Sequence, residues 1–116
     1  MGFSSGKDKL TGLEIAPKTA KTQASDSTTA CAVTQNLRAG ALTIDMGHTW
    51  ANGTVFTITL TNTTIDTDSV VLISQVSAHP VGWAVSTIAD NSCKIAALNG
   101  SGSGIAADIK INYVVI

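Results

Sequence analysis

The sequence predicts an all-β protein: a single-domain antiparallel β-sandwich, of sandwich or jelly-roll topology, with an extended N-terminal arm. Three observations carry that expectation. Thr occurs 16 times, Ile 11 and Val 9, and β-branched side chains suit a pleated, half-buried surface. Glu occurs once, at Glu14, and only 13% of residues are charged, so the long side chains that coat exposed helices are scarce. Short apolar segments alternate with turn residues at roughly 8–12-residue spacing, the pattern of a sandwich rather than a parallel α/β sheet. A chain of 116 residues suits one domain, and 44% hydrophobic residues are enough for one core.

Residues 1–30 differ in kind from residues 31–116. Residues 18–29 (KTAKTQASDSTT) contain no large apolar side chain, so burial cannot offset their ordering entropy. They read as an extended, solvated arm that would span roughly 40 Å when stretched. Within it Leu10, Leu13 and Ile15 form a small apolar cluster ending at Pro17. Solvation does not require such a cluster, which therefore reads as a contact on the parent domain or on a neighbouring subunit. The arm's lysines, Lys7, Lys9, Lys18 and Lys21, lie among Asp8, Glu14 and Asp26 and read as a solvated tail.

Residues 31–35 are a weak first strand, followed by a turn region at 36–40. Residues 41–46 alternate, with Leu42, Ile44 and Met46 on one face and Thr43 and Asp45 on the other. A loop with His48 and Trp50 leads through Asn52-Gly53 to the clearest strand, 54–62, where Phe56, Ile58 and Leu60 oppose Thr57, Thr59 and Thr61. Strict period two over that length argues for a sheet with one solvated face. Residues 69–77 begin as a continuous apolar run and read as a central strand covered on both faces. His79, Pro80 and Gly82 end it. Residues 83–88 alternate and meet a turn at Asp90-Asn91, residues 92–98 form a short strand, and 99–104 (NGSGSG) read as a hairpin loop. The terminal segment, 105–116, puts Ile109, Ile111, Tyr113 and Val115 on one face.

The chemistry-bearing residues are few. Net charge is −1, so no basic field attracts nucleic acid or anionic lipid. No apolar run approaches the roughly 20 residues of a membrane span. Residues 2–10 (GFSSGKDKL) lack the core of a secretory segment, and Gly6 stands where a myristoylation motif wants Ser or Thr. A soluble protein made in a cytoplasm is expected. His48 and His79 have no carboxylate fixed nearby by spacing, so no acid–base pair is visible and the chain is not expected to be an enzyme or to carry a cofactor. Asp66-Thr67-Asp68 has the look of a calcium pair without the remaining oxygens, and reads as a turn. The GSGSG stretch lacks the Lys-Ser/Thr of a phosphate loop.

Cys31 and Cys93 match no metal spacing and read as two buried thiols; a disulfide requires the first core strand to lie beside the sixth. Three sequons, at Asn52, Asn62 and Asn99, coincide with predicted turns, where Asn is favoured for backbone reasons. Trp83 begins an alternating strand and reads as core. Trp50 lies in a loop with His48 and Asn52 and reads as an interface anchor or a sugar platform.

Segments 69–73 (SVVLI), 82–85 (GWAV) and 93–95 (CKI), Asn99, and the closing 108–116 (DIKINYVVI) resemble the C-terminal half of small β-sandwich domains on tailed-phage virions. Those domains serve as capsid decoration (cement) proteins, head fibres and tail-fibre modules. The likeness covers less than half the chain and is mostly a hydrophobic pattern with one Trp and one Asn. It implies a jelly roll, a homotrimer to which the terminal strand contributes, a major capsid protein as partner, and a place on the virion surface. A receptor- or carbohydrate-binding module is the alternative.

Overall fold

The computed structural model describes residues 20–116. Leu10, Leu13 and Ile15 lie outside the described residues. Among those described there are eight strands and no helix: β1 (Ala20–Ala24), β2 (Ala30–Thr34), β3 (Ala39–Asp45), β4 (Val55–Thr61), β5 (Val71–Gln75), β6 (Val81–Ala89), β7 (Ser92–Asn99) and β8 (Ile109–Val115). They form two four-stranded sheets, ordered β1-β3-β8-β5 and β2-β4-β7-β6, around one apolar core. The fold is a single-domain β-sandwich.

Period two builds that core from the middle strands. Leu42 and Ile44 of β3 and Ile109, Ile111, Tyr113 and Val115 of β8 face Phe56, Ile58 and Leu60 of β4 and Cys93, Ile95 and Ala97 of β7. All are buried. Each large aliphatic side chain so placed contributes about 1.5–3 kcal/mol relative to exposure. The outward residues between them are mostly Thr, Ala, Asn and Lys, which is why so few charges suffice to keep the faces wet.

Successive strands switch sheets at every connection but one. The exception is the β6–β7 hairpin, where Ala89 pairs with Ser92 across Asp90-Asn91 and Asn91 takes φ 66°. Asn tolerates that left-handed conformation better than most residues, so the predicted turn has the residue it needs.

Three features differ from the sequence expectation. Ala20–Ala24, placed in the solvated arm, form β1 and pair with β3 from Ala20↔Ala41 to Ala24↔Asp45. The strand buries no large side chain and is held by its ladder, so periodicity had nothing to detect. The sheets are not wholly antiparallel: β1–β3 and β2–β4 run parallel. Parallel neighbours need a crossover, and here the crossing passes through a strand of the opposite sheet. Lastly, β5 is an edge strand paired only with β8, and Leu72 is 51% exposed. An apolar run covered on both faces and one with an exposed apolar face look alike in sequence.

Candidate interaction surface

The sandwich has two lateral edges, and the one between β5 and β6 is incompletely closed. β5 pairs only with β8 and β6 only with β7, so each has a free side. A groove of about 170 Å³ between them is lined by Val71, Leu72, Ile73, Trp83, Ala84 and Val85. Ile73, Val81, Trp83, Val85 and Ile88 pack on the core yet stay only partly buried. A bulge brings them into line: pairing shifts between Val85 and Thr87, so Val85 opposes Ile95 and Thr87 opposes Lys94. The extra residue, Ser86, re-aims the strand, and Ile88 then faces the core three positions after Val85.

One polar device spans this edge. Trp83 Nε1–H donates to Gln75 Oε1 at 2.7 Å, while Gln75 Nε2 donates to the carbonyls of Ser77 and His79. Gln75 therefore ties the end of β5, the 76–80 connection and the indole of β6 together. Trp83, expected in the core, is a half-buried lining residue instead.

The groove continues onto the outer face of the β1-β3-β8-β5 sheet. Leu72 pairs with Val114, and Val70 and Ile116 exchange both backbone hydrogen bonds, at 3.0 and 2.8 Å. Because Val71 and Val115 point inward, these four side chains share the outward face. Val70, Leu72 and Ile116 are 50%, 51% and 47% exposed, and no charged side chain stands among the four. Another exposed pair, Val55 and Leu98, sits on the other sheet, matched across β4 and β7.

Trp50, the residue expected to anchor a ligand, is buried at 1% exposure. Its Nε1–H donates to Thr54 O at 3.0 Å, its backbone bridges Ile105, and its ring lies 5.5 Å from that of Phe56. Neither face of the indole is open, so it is a core residue and not a platform. Sequence pattern places it in an exposed loop because the isolated bridge to Ile105 joins segments far apart in the chain.

The two buried sequons are structural. Asn62 and Asn99 are both fully buried. Asn62 Oδ1 accepts Thr64 N–H and Oγ1–H at 2.9 and 2.7 Å, and Asn99 Oδ1 accepts Ser101 N–H and Oγ–H at the same two distances. The Asn-x-Ser/Thr spacing here marks an Asx-turn at a strand end. Asn62 Nδ2 donates to Leu37 O and Tyr113 Oη, while Tyr113 Oη–H reaches Gln35 Oε1 at 2.9 Å. Gly40 makes room for this network: a Cβ there would collide with Gln35 Oε1 and lie 2.7 Å from Tyr113 Oη. Burial pushes the Tyr113 hydroxyl up to about 12, a rise opposed by its hydrogen bond to Asn62 and assisted by Cys93.

Cys31 and Cys93 are free and buried. β4 stands between β2 and β7, which separates the two by about two strand spacings, roughly 9–10 Å, beyond disulfide reach. Burial, and secondarily Asp26, pushes the Cys31 thiol to about 11, and burial also raises that of Cys93. Neither is poised as a nucleophile. His48 Nδ1 lies 3.0 Å from Ser25 Oγ, a pair that the sequence did not suggest. Ser25 Oγ–H donates to Met46 O at 2.5 Å, so its proton is committed to the backbone. Asp66 Oδ1 accepts Asp68 N–H at 2.8 Å and closes its turn. Among the described residues no group of three His, Cys, Asp or Glu side chains could hold a metal ion.

No family model, curated protein or solved structure matches the chain.

Proposed function

We propose that the protein is a virion structural protein: a capsid decoration (cement) protein that binds and stabilises the outer surface of a phage head, with the major capsid protein as its partner. The observation that carries this reading is an uncharged apolar surface, running from the β5–β6 groove to Val70, Leu72, Val114 and Ile116, on a small sandwich. A lattice-binding protein needs buried contact area, and exposed contiguous apolar side chains supply it. Of the jelly roll that this reading carries, the chain has the interleaving of early and late strands in β3-β8-β5 and β4-β7-β6, whereas its parallel β1–β3 and β2–β4 pairs depart from an all-antiparallel pattern. Within the proposed homotrimer β8 contributes only through outward side chains such as Asn112 and Val114, with Ile116 directly after it, because both its edges are already paired. The alternative, a receptor- or carbohydrate-binding module, loses its motivating residue with the burial of Trp50.

The test is sedimentation with purified capsids. Retention of the full chain at a copy number tied to the lattice is expected, and a chain that stays in the supernatant at every concentration ends the reading. A truncated chain for comparison should begin at residue 20, since removing residues 1–30 would also remove β1. Undiminished retention of that shorter chain would take Leu10, Leu13 and Ile15 out of the capsid contact.

A further inference from the structure

We propose that the free edge of β5 pairs with the β5 edge of a second copy of this chain, antiparallel about a two-fold axis at Ile73, joining the two β1-β3-β8-β5 sheets into one. The register of β5 on β8 carries the argument. Val70 and Ile116 exchange both backbone hydrogen bonds, and Val76 N–H donates to Lys110 O at 2.8 Å. Leu72↔Val114 and Ser74↔Asn112 continue the same register between them. Hydrogen-bonded pairs recur at every second residue of an antiparallel ladder. Val70, Leu72, Ser74 and Val76 therefore turn their backbone groups to β8, whereas Val71, Ile73 and Gln75 turn theirs to the open side. Among the described residues no strand pairs with that side and no backbone hydrogen bond reaches it.

The segment suits its own copy because it is symmetric about Ile73. With Ile73 opposite the partner's Ile73, Val71 meets the partner's Gln75, and every open N–H and C=O gains a bond. Leu72 then faces the partner's Ser74, and Val70 faces the partner's Val76. Val70, Leu72 and Val76 are 50%, 51% and 55% exposed. Cross-strand pairing lays each of these valines against one from the other copy. No charged residue lies between Ser69 and Ala78 to oppose the approach.

The other three edge strands are guarded against such pairing, and β5 is not. β1 carries Lys21 and no large apolar side chain. On β2 the Asp26 carboxylate already takes Ala32 N–H at 2.8 Å, and Ala30 O accepts Asp26 N–H. β6 is bulged between Val85 and Thr87. β5 has no lysine, proline or bulge. The contact uses the strand edge and leaves Asn112 and Val114 of β8 open, so it is independent of the proposed trimer.

Measurements on the full chain decide the matter. Sedimentation velocity from about 1 μM to about 1 mM should show association that grows with concentration. Leu72→Lys places a charge beside the partner's edge and should weaken that association about tenfold. Leu98→Lys, at 47% exposure on the other sheet, should leave it unchanged. The register is read by oxidising a mixture of Leu72→Cys and Ser74→Cys proteins, the native Cys31 and Cys93 being buried. The mixture should form a disulfide between chains, because the two positions face each other at about 4.5 Å between Cα atoms. Neither variant alone should do so, since its own mates lie on a diagonal of about 7–8 Å. A chain that stays monomeric, an association that Leu72→Lys spares or Leu98→Lys weakens equally, or self-linking as fast as in the mixture overturns the proposal. Association with no cross-link in the mixture also overturns it, while leaving the proposed trimer standing. Capsid retention is read by none of these, so this contact and the proposed function fail separately.

Discussion

The two lateral edges of the sandwich are closed in different ways. At one, β1 and β2 add parallel strands outside β3 and β4, and residues 25–29 cross between the sheets. That crossing is fastened by polar groups: Ser25 N–H donates to Asp45 O at 2.9 Å, Asp26 N–H to Ala30 O at 2.9 Å, and Ala32 N–H to Asp26 Oδ2 at 2.8 Å. Cys31 and Val33 of β2 are buried behind it at 2% and 3% exposure. At the other edge Ile73, Val81, Trp83, Val85 and Ile88 have comparable apolar content but remain half-covered, bridged by Gln75 and Trp83. Each edge has one crossing connection, residues 25–29 at the first and 76–80 at the second, so what differs is the packing beside it: Cys31 and Val33 are buried where Ile73, Trp83 and Val85 stay partly open. The open side is where another surface gains most by docking.

The comparison can be broken at several points. The largest effect is expected from Gly40→Ala, beside the closed edge, where the new methyl displaces Gln35 or Tyr113 and leaves buried polar atoms unpaired. A loss of about 3 kcal/mol by urea unfolding is expected, and a variant within about 1 kcal/mol of wild type would show that the network yields freely. Alkaline pH should act next. The folded pKa of Cys31 is raised from 9.0 to about 11 and that of Tyr113 from 10.0 to about 12. With both raised above their unfolded values, their stabilising contribution is whole below pH 9 and is lost as pH climbs through 11 and 12. Each group steepens the decline by at most about 1.4 kcal/mol per pH unit. Cys31→Ala should flatten the fall between pH 9 and 11, and an unchanged slope would contradict the burial of that thiol.

A matched pair of truncations sharpens the contrast directly. Val33→Ala at the closed edge should cost about 2 kcal/mol, whereas Val85→Ala at the open edge should cost about half as much, since less area leaves contact. Equal losses in calorimetry would mean the open edge is as well packed as the other. Trp83→Phe should show the smallest change, about 0.5–1 kcal/mol, because the indole donor is lost while Gln75 Oε1 turns to solvent. Its signature is faster amide exchange in β6 with β2 unaffected; uniform acceleration would instead indicate global destabilisation.

Leu42, Ile44, Phe56, Ile58, Leu60, Ile109, Ile111, Tyr113 and Val115 are all readable from sequence as inward-facing, and Asp90-Asn91 as a turn. Alternation and turn chemistry are properties of a few adjacent residues, so one sequence determines them without reference to partners. The tertiary structure alone decided which strands lie at the edges, that β1 exists and runs parallel to β3, and that Trp50 is buried while Trp83 is half-open. The candidate surface belongs to this second group: Val70 and Leu72 meet Val114 and Ile116 only through the β5–β8 register. Whether an outward valine is core or contact depends on what the rest of the chain brings over it, and that is set by the order of strands, not by their composition.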